Sequence, residues 1–173
     1  MKRKITVREL TLLSLTVAVA MMLSFIESRI PVFVPVPGVK IGLANLAALF
    51  ALYRLGFRDA ALVSAVRVSL SALLFGSPVS FLYSLAGAAV SLILMALLKK
   101  ASFFSPIGVS VAGGVAHNFA QIAVAALMFD TAALFSYLPV LAITGTLAGT
   151  VIGIAGGLLI RKVPTFSDNE KSQ

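Results

Sequence analysis

The sequence predicts an all-α membrane protein, a bundle of six transmembrane helices, and three observations predict it. Of the 173 residues, 60% are hydrophobic and 12% charged, where a soluble domain carries about 25% charged residues. The mean hydropathy is +1.06. Six mostly apolar runs stand between polar breaks, and a spanning helix needs roughly 20 such residues, down to about 17. The same composition excludes an ordinary soluble domain and a disordered chain. Glycine (13 residues) has no three-residue period and cysteine is absent, so collagen and a disulfide scaffold fall as well. Lys and Arg number 14 against 6 Asp and Glu, giving +8. In a membrane chain that excess is explained by positive-inside loops, and no nucleic-acid partner is expected.

The predicted spans are 8–29, 41–55, 60–76, 78–98, 106–129 and 137–160. The first follows Lys2-Arg3-Lys4 and contains Ala18-Val19-Ala20, which imitates a cleavable signal peptide. The apolar run continues through Met21-Met22-Leu23, however, so an uncleaved span is expected. The second is short, about 22 Å by helical rise, and either starts inside the preceding loop or sits tilted. Between the third and fourth lie only Gly76-Ser77-Pro78. A glycine stop followed by a proline suited to a first helical turn predicts a tight hairpin. Asp59 is the expected cap of helix three and Asp130 the expected outer mark of helix five. The sixth span carries Gly145, Gly149, Gly153 and Gly157 at four-residue spacing, a groove that lets another backbone approach closely. Residues 1–163 form one expected domain, followed by a polar cytoplasmic tail, 164–173.

Orientation follows from the basic residues. Lys2, Arg3, Lys4, Arg8, Arg54, Arg58, Lys99, Lys100, Arg161, Lys162 and Lys171 all fall on one side of a six-helix topology. That side is cytoplasmic, with both termini on it.

Ionisable groups within spans are costly, of order 2.5–3.5 kcal/mol for Arg at a helix centre, so each is a candidate for function. Arg67 lies near the middle of helix three and must face the bundle interior or a water-filled cavity. His117, Asn118 and Gln121 share one face of helix five by their three- and four-residue spacing; they serve as interhelical hydrogen-bonding groups or face a ligand. His117 is the only histidine, so no metal site is expected. Glu27 closes helix one, and the loop 31–40, apolar with three prolines and a glycine, suits a stiff lid over an outward cavity. Lys40 and Asn45 stand at its exit, and Tyr83 is an interfacial anchor or a wall of the same cavity.

No GxxxxGK[ST] loop and no GxGxxG occur, and the acids Glu9, Glu27, Asp59, Asp130, Asp168 and Glu170 are scattered. The chain alone is expected neither to hydrolyse ATP nor to hold the Mg²⁺–diphosphate cluster of prenyl transfer. It is therefore not expected to be an enzyme or to carry a cofactor.

The runs Leu23-Ser24-Phe25-Ile26-Glu27-Ser28, Pro37-Gly38-Val39-Lys40-Ile41-Gly42-Leu43-Ala44-Asn45, Arg67-Val68, Ser80-Phe81-Leu82-Tyr83-Ser84-Leu85-Ala86-Gly87 and Gly113-Gly114-Val115-Ala116-His117-Asn118 resemble a bacterial family. It is the one labelled heptaprenyl diphosphate synthase component I, also called the Gx transporter family, and the resemblance covers roughly residues 8–160. That family is grouped with the substrate-binding S components of energy-coupling factor (ECF) transporters. The resemblance implies six helices in the bacterial inner membrane, an outward pocket capped by the first loop, and docking through small residues of helix one on a coupling subunit driven by two ATPases. The matching docking positions are Ser14 and Ala18, or Thr16 and Ala20. The expected function is capture of a small polar or anionic metabolite by Glu27, Lys40, Asn45, Arg67, Tyr83, His117, Asn118 and Gln121. The alternative is a membrane subunit associated with a polyprenyl diphosphate synthase, to which the family label points.

Overall fold

The computed structural model describes residues 6–30 and 42–163. Among them are six α-helices: α1 (Val7–Arg29), α2 (Asn45–Arg54), α3 (Phe57–Phe75), α4 (Pro78–Lys100), α5 (Pro106–Met128) and α6 (Leu138–Lys162). A 3₁₀ helix, Ala132–Tyr137, leads into α6, and the described residues contain no strand. Four segments are long and apolar enough to cross a membrane: α1, α4, α5 and the stretch Ala132–Lys162. With ten residues, α2 rises only about 15 Å. Helix α3 is long enough, but Arg58, Asp59 and Arg67 interrupt its apolarity.

Local chemistry sets most boundaries. Thr6 and Glu9 form a capping box at the start of α1, and Arg29 sits in its last turn, each charge matching the helix dipole. Gly56, at φ +102°, turns the chain from α2 into α3 in a conformation that side chains disfavour. The N-cap of α3 is thus Gly56, and the expected cap Asp59 lies in the first turn instead. The helix gains three residues ahead of its expected start because Phe57, Arg58 and Asp59 continue directly from the glycine. Asp130, at φ +46°, follows the end of α5 as expected.

The α3–α4 hairpin forms where the sequence predicts it. Gly76 ends α3, and Ser77 caps α4 in a reciprocal box with Ser80, with Pro78 next to the cap. Ser77→Ala is expected to lower stability by about 1 kcal/mol. Unfolding in SDS-containing mixed micelles measures it, and no change would mean that the box is redundant with helix packing.

Glycines decide how closely the helices pack. A Cβ on Gly149 would lie 2.6 Å from the Val111 Cα, and one on Gly153 2.6 Å from the Ile107 Cα. A Cβ on Gly114 would meet the Gly145 carbonyl oxygen at 2.9 Å. The four-residue groove of α6 is therefore filled by the backbone of α5, apart from Gly157, whose nearest neighbour would stand at 4.0 Å. Gly156 instead faces Leu49 of α2. Between α4 and α5, Gly87 faces His117 and Gln121, and Gly113 faces Met95. Helix α2 is the buried one: Ala47, Ala48, Leu49, Ala51 and Leu52 are all in the core. Its C-terminal end is held by Lys99, whose Nζ donates to the Leu52 carbonyl at 2.7 Å and lies 5.0 Å from the centre of the Tyr53 ring.

Candidate functional site

A cleft of about 320 Å³ opens at one end of the bundle, between the C-terminal halves of α1 and α3 and the N-terminal half of α4. That volume lies at the small end of ligand sites, about 300–1,000 Å³. Its walls carry Glu27, Arg67, Ser71, Ser80, Tyr83 and Ser84 on the polar side and Val68, Ala72 and Phe75 on the apolar side. Three expected residues, Glu27, Arg67 and Tyr83, thus meet in one place.

Helix periodicity explains the convergence. Ser64, Arg67 and Ser71 recur at three- and four-residue spacing and are all buried, so α3 turns a polar stripe inward. Arg67 is 7% exposed and Glu27 5%, and the two interact electrostatically. The Arg67 Nε and the Ser84 hydroxyl are buried without a hydrogen-bond partner among the described residues. Buried polar atoms of this kind are satisfied by water or by a ligand. Glu27 also accepts a hydrogen bond from the Gly42 N–H, tying the end of α1 to the approach of α2. Gly42 holds φ +82°, which favours glycine at this contact.

The remaining expected residues lie elsewhere. Asn45, His117 and Asn118 border a second, much smaller void of about 10 Å³, with Ser110 and Gly42 beside them; that space suits a single water. The Asn118 side chain donates to the Leu141 carbonyl of α6 at 3.0 Å, an interhelical bond. Gln121 lines neither space and packs against Gly87 of α4, as does His117. Lys40 and the proline-rich loop 31–40 lie outside the described residues. Of the small residues on α1, Thr16 and Ala20 are buried in the bundle while Ser14 and Ala18 are exposed. Of the two expected stripes, Thr16–Ala20 packs inside the chain and Ser14–Ala18 is left on its outside.

Sequence reasoning missed Ser71, Ser80 and Ser84 as walls of the cleft. Their only signal is the four-residue spacing Arg67–Ser71 and Ser80–Ser84, which helix packing also produces. Among the described residues no group of three or more His, Cys, Asp or Glu is placed to hold a metal ion.

A sequence model of one family, described as heptaprenyl diphosphate synthase component I, matches residues 16–159. That stretch runs from mid-α1 to the last turn of α6 and includes every residue of the cleft. No curated protein and no solved structure matches the chain significantly.

Proposed function

The chain belongs to the heptaprenyl diphosphate synthase component I family, and from that membership and the cleft we propose an integral membrane subunit that captures a small polar or anionic metabolite. The observation that supports this is Arg67. A guanidinium in the middle of an apolar helix is expensive in a bilayer, yet here Arg67 lines a metabolite-sized cleft beside the Ser84 hydroxyl, which has no hydrogen-bond partner among the described residues. In this reading all six helices cross or enter the bacterial inner membrane, both termini are cytoplasmic and the cleft faces outward. The exposed Ser14 and Ala18 on α1 meet an energy-coupling membrane partner driven by ATPases, as in S components of ECF transporters. The protein binds and releases its ligand without chemistry of its own.

The test is native mass spectrometry of the detergent-purified protein, wild type beside Arg67→Ala, with Arg67→Lys to keep the charge. A small molecule retained by wild type and lost from a folded Arg67→Ala variant is the expected result. Identical spectra from both would overturn the capture reading.

The family description favours a second reading, a membrane subunit that associates with a polyprenyl diphosphate synthase. The exposed basic residues Arg58, Lys100, Arg161 and Lys162, which lie together on the expected cytoplasmic side, would supply the contact. Here Arg67 matters only for folding, and a soluble prenyl synthase co-purifies with wild type and Arg67→Ala alike.

A further inference from the structure

The end of the bundle opposite the cleft carries a short apolar loop among basic residues. Residues 101–105 join α4 to α5. Ala101 closes α4, Ser102 turns the chain back at φ +52°, and Ser105 caps α5 by accepting the Gly108 N–H at 3.2 Å. Both ends of the loop are thus fixed. At its tip the rings of Phe103 and Phe104 meet edge to face, with centroids 5.4 Å apart. Phe104 turns back towards Gly108. Phe103 is 87% exposed, more than any other large apolar side chain among the described residues.

Depth and charge identify what meets those rings. Helices α4 and α5 are both long and apolar enough to cross a membrane. Each is 23 residues long, a rise of about 34 Å against a hydrocarbon core of about 30 Å. The loop therefore lies only about 2 Å beyond the core, at the level of the lipid headgroups. A ring held there reaches the first methylenes of the acyl chains, a depth that a water-soluble partner does not enter. The same end is basic. Lys99 reaches the Leu52 carbonyl and so brings the end of α2 and the start of α3 beside α4, and a Cβ on Gly157 of α6 would stand 4.0 Å from Pro106. Arg8, Arg58, Lys100, Arg161 and Lys162 are exposed at this end, where the acids among the described residues are Glu9 and Asp59.

We propose that the α4–α5 loop is a lipid anchor selective for anionic headgroups, in which Phe103 and Phe104 pack on acyl methylenes and the Lys100 ammonium pairs with the headgroup phosphate. Lys99 is held by the Leu52 carbonyl and the Tyr53 ring, so the exposed Lys100 is the lysine of this pair that faces the lipid. A zwitterionic headgroup carries its own cation beside the phosphate and gains little from a basic surface, whereas an anionic one is drawn to it. The anchor rests on α4 and α5 crossing the bilayer and on neither functional reading.

The sequence contains no tryptophan, so Phe103→Trp places a single fluorophore at the tip of the loop. The full chain carrying it is reconstituted into phosphatidylcholine vesicles that contain a titrated minor fraction of either phosphatidylglycerol or phosphatidylcholine with brominated acyl chains. Bromine is expected to quench the emission and aqueous acrylamide to leave it nearly unchanged. At equal fraction, brominated phosphatidylglycerol is expected to quench more than brominated phosphatidylcholine. Adding Lys100→Gln is expected to weaken the apparent association of phosphatidylglycerol about fivefold, the contribution of one basic residue near an anionic surface. Phe103 and Lys100 are both exposed, so neither substitution disturbs the packed helices, and Phe104→Trp repeats the measurement from the inner ring with the same ordering expected. Quenching by acrylamide and not by bromine would put the loop in water, as a tip for docking a soluble protein, and overturn the proposal. Equal quenching by the two lipids, or a preference that Lys100→Gln leaves unchanged, overturns it as well.

Discussion

Glu27→Ala is expected to destabilise the protein by about 3–5 kcal/mol, the usual cost of removing one partner of a buried charge pair. The alanine deletes the acceptor of the Gly42 N–H and leaves Arg67, 7% exposed, without the carboxylate that opposes its charge. The effect is separable from simple loss of packing by a double-mutant cycle with Arg67→Met. If the carboxylate and guanidinium stabilise each other, Glu27→Ala costs much less in the Arg67→Met background, with a coupling of about 0.5–3 kcal/mol. Strict additivity of the two substitutions in mixed-micelle unfolding would show that the pair is not coupled. The cost of Glu27→Ala that remains in the Arg67→Met background includes the lost Gly42 bond, about 1 kcal/mol for a part-buried donor.

Gly149→Ala carries the second large effect. The new Cβ would lie 2.6 Å from the Val111 Cα and 2.9 Å from the Ser110 carbonyl oxygen, so α5 and α6 must separate. Overpacking of this kind costs about 1–3 kcal/mol, and the contacting atoms are backbone that no rotamer change can move. Gly157→Ala supplies the control on the same helix. There the nearest atom would stand at 4.0 Å, and the gain of about 1 kcal/mol in helix propensity is shared by both substitutions. The difference between the two variants therefore isolates the clash. Equal unfolding midpoints would mean that the interface between α5 and α6 is not set by the glycine groove.

The helices were legible where a break carries its own chemistry, as at Gly76-Ser77-Pro78. Helix α2 was the least legible: its expected start at Ile41 moves to Asn45 because Gly42 takes a left-handed turn that an apolar count does not reveal. Glu27 and Arg67 were legible too, since both are charges inside apolar runs. The helix-five trio was legible as buried polar groups but not as a site. A step of one residue turns an α-helix by about 100°, so Asn118 points to α6 while His117 and Gln121 meet α4. One patch in the sequence became two contacts in space. For α1, spacing alone gave two equivalent small-residue stripes, and only the packing against α2 and α3 distinguishes the buried Thr16 and Ala20 from the exposed Ser14 and Ala18.

The placement of Glu27 and Arg67 also has a consequence for biosynthesis. Glu27 is two residues from the end of α1, where a charge is cheaper to accommodate than at a helix centre. Arg67 is central in α3, where a lone cation is costly. In the chain α1 precedes α3, so the carboxylate leaves the ribosome ahead of the guanidinium. The helix that is too polar to count as a span by itself thus follows, in the chain, one that carries a charge opposite to its own.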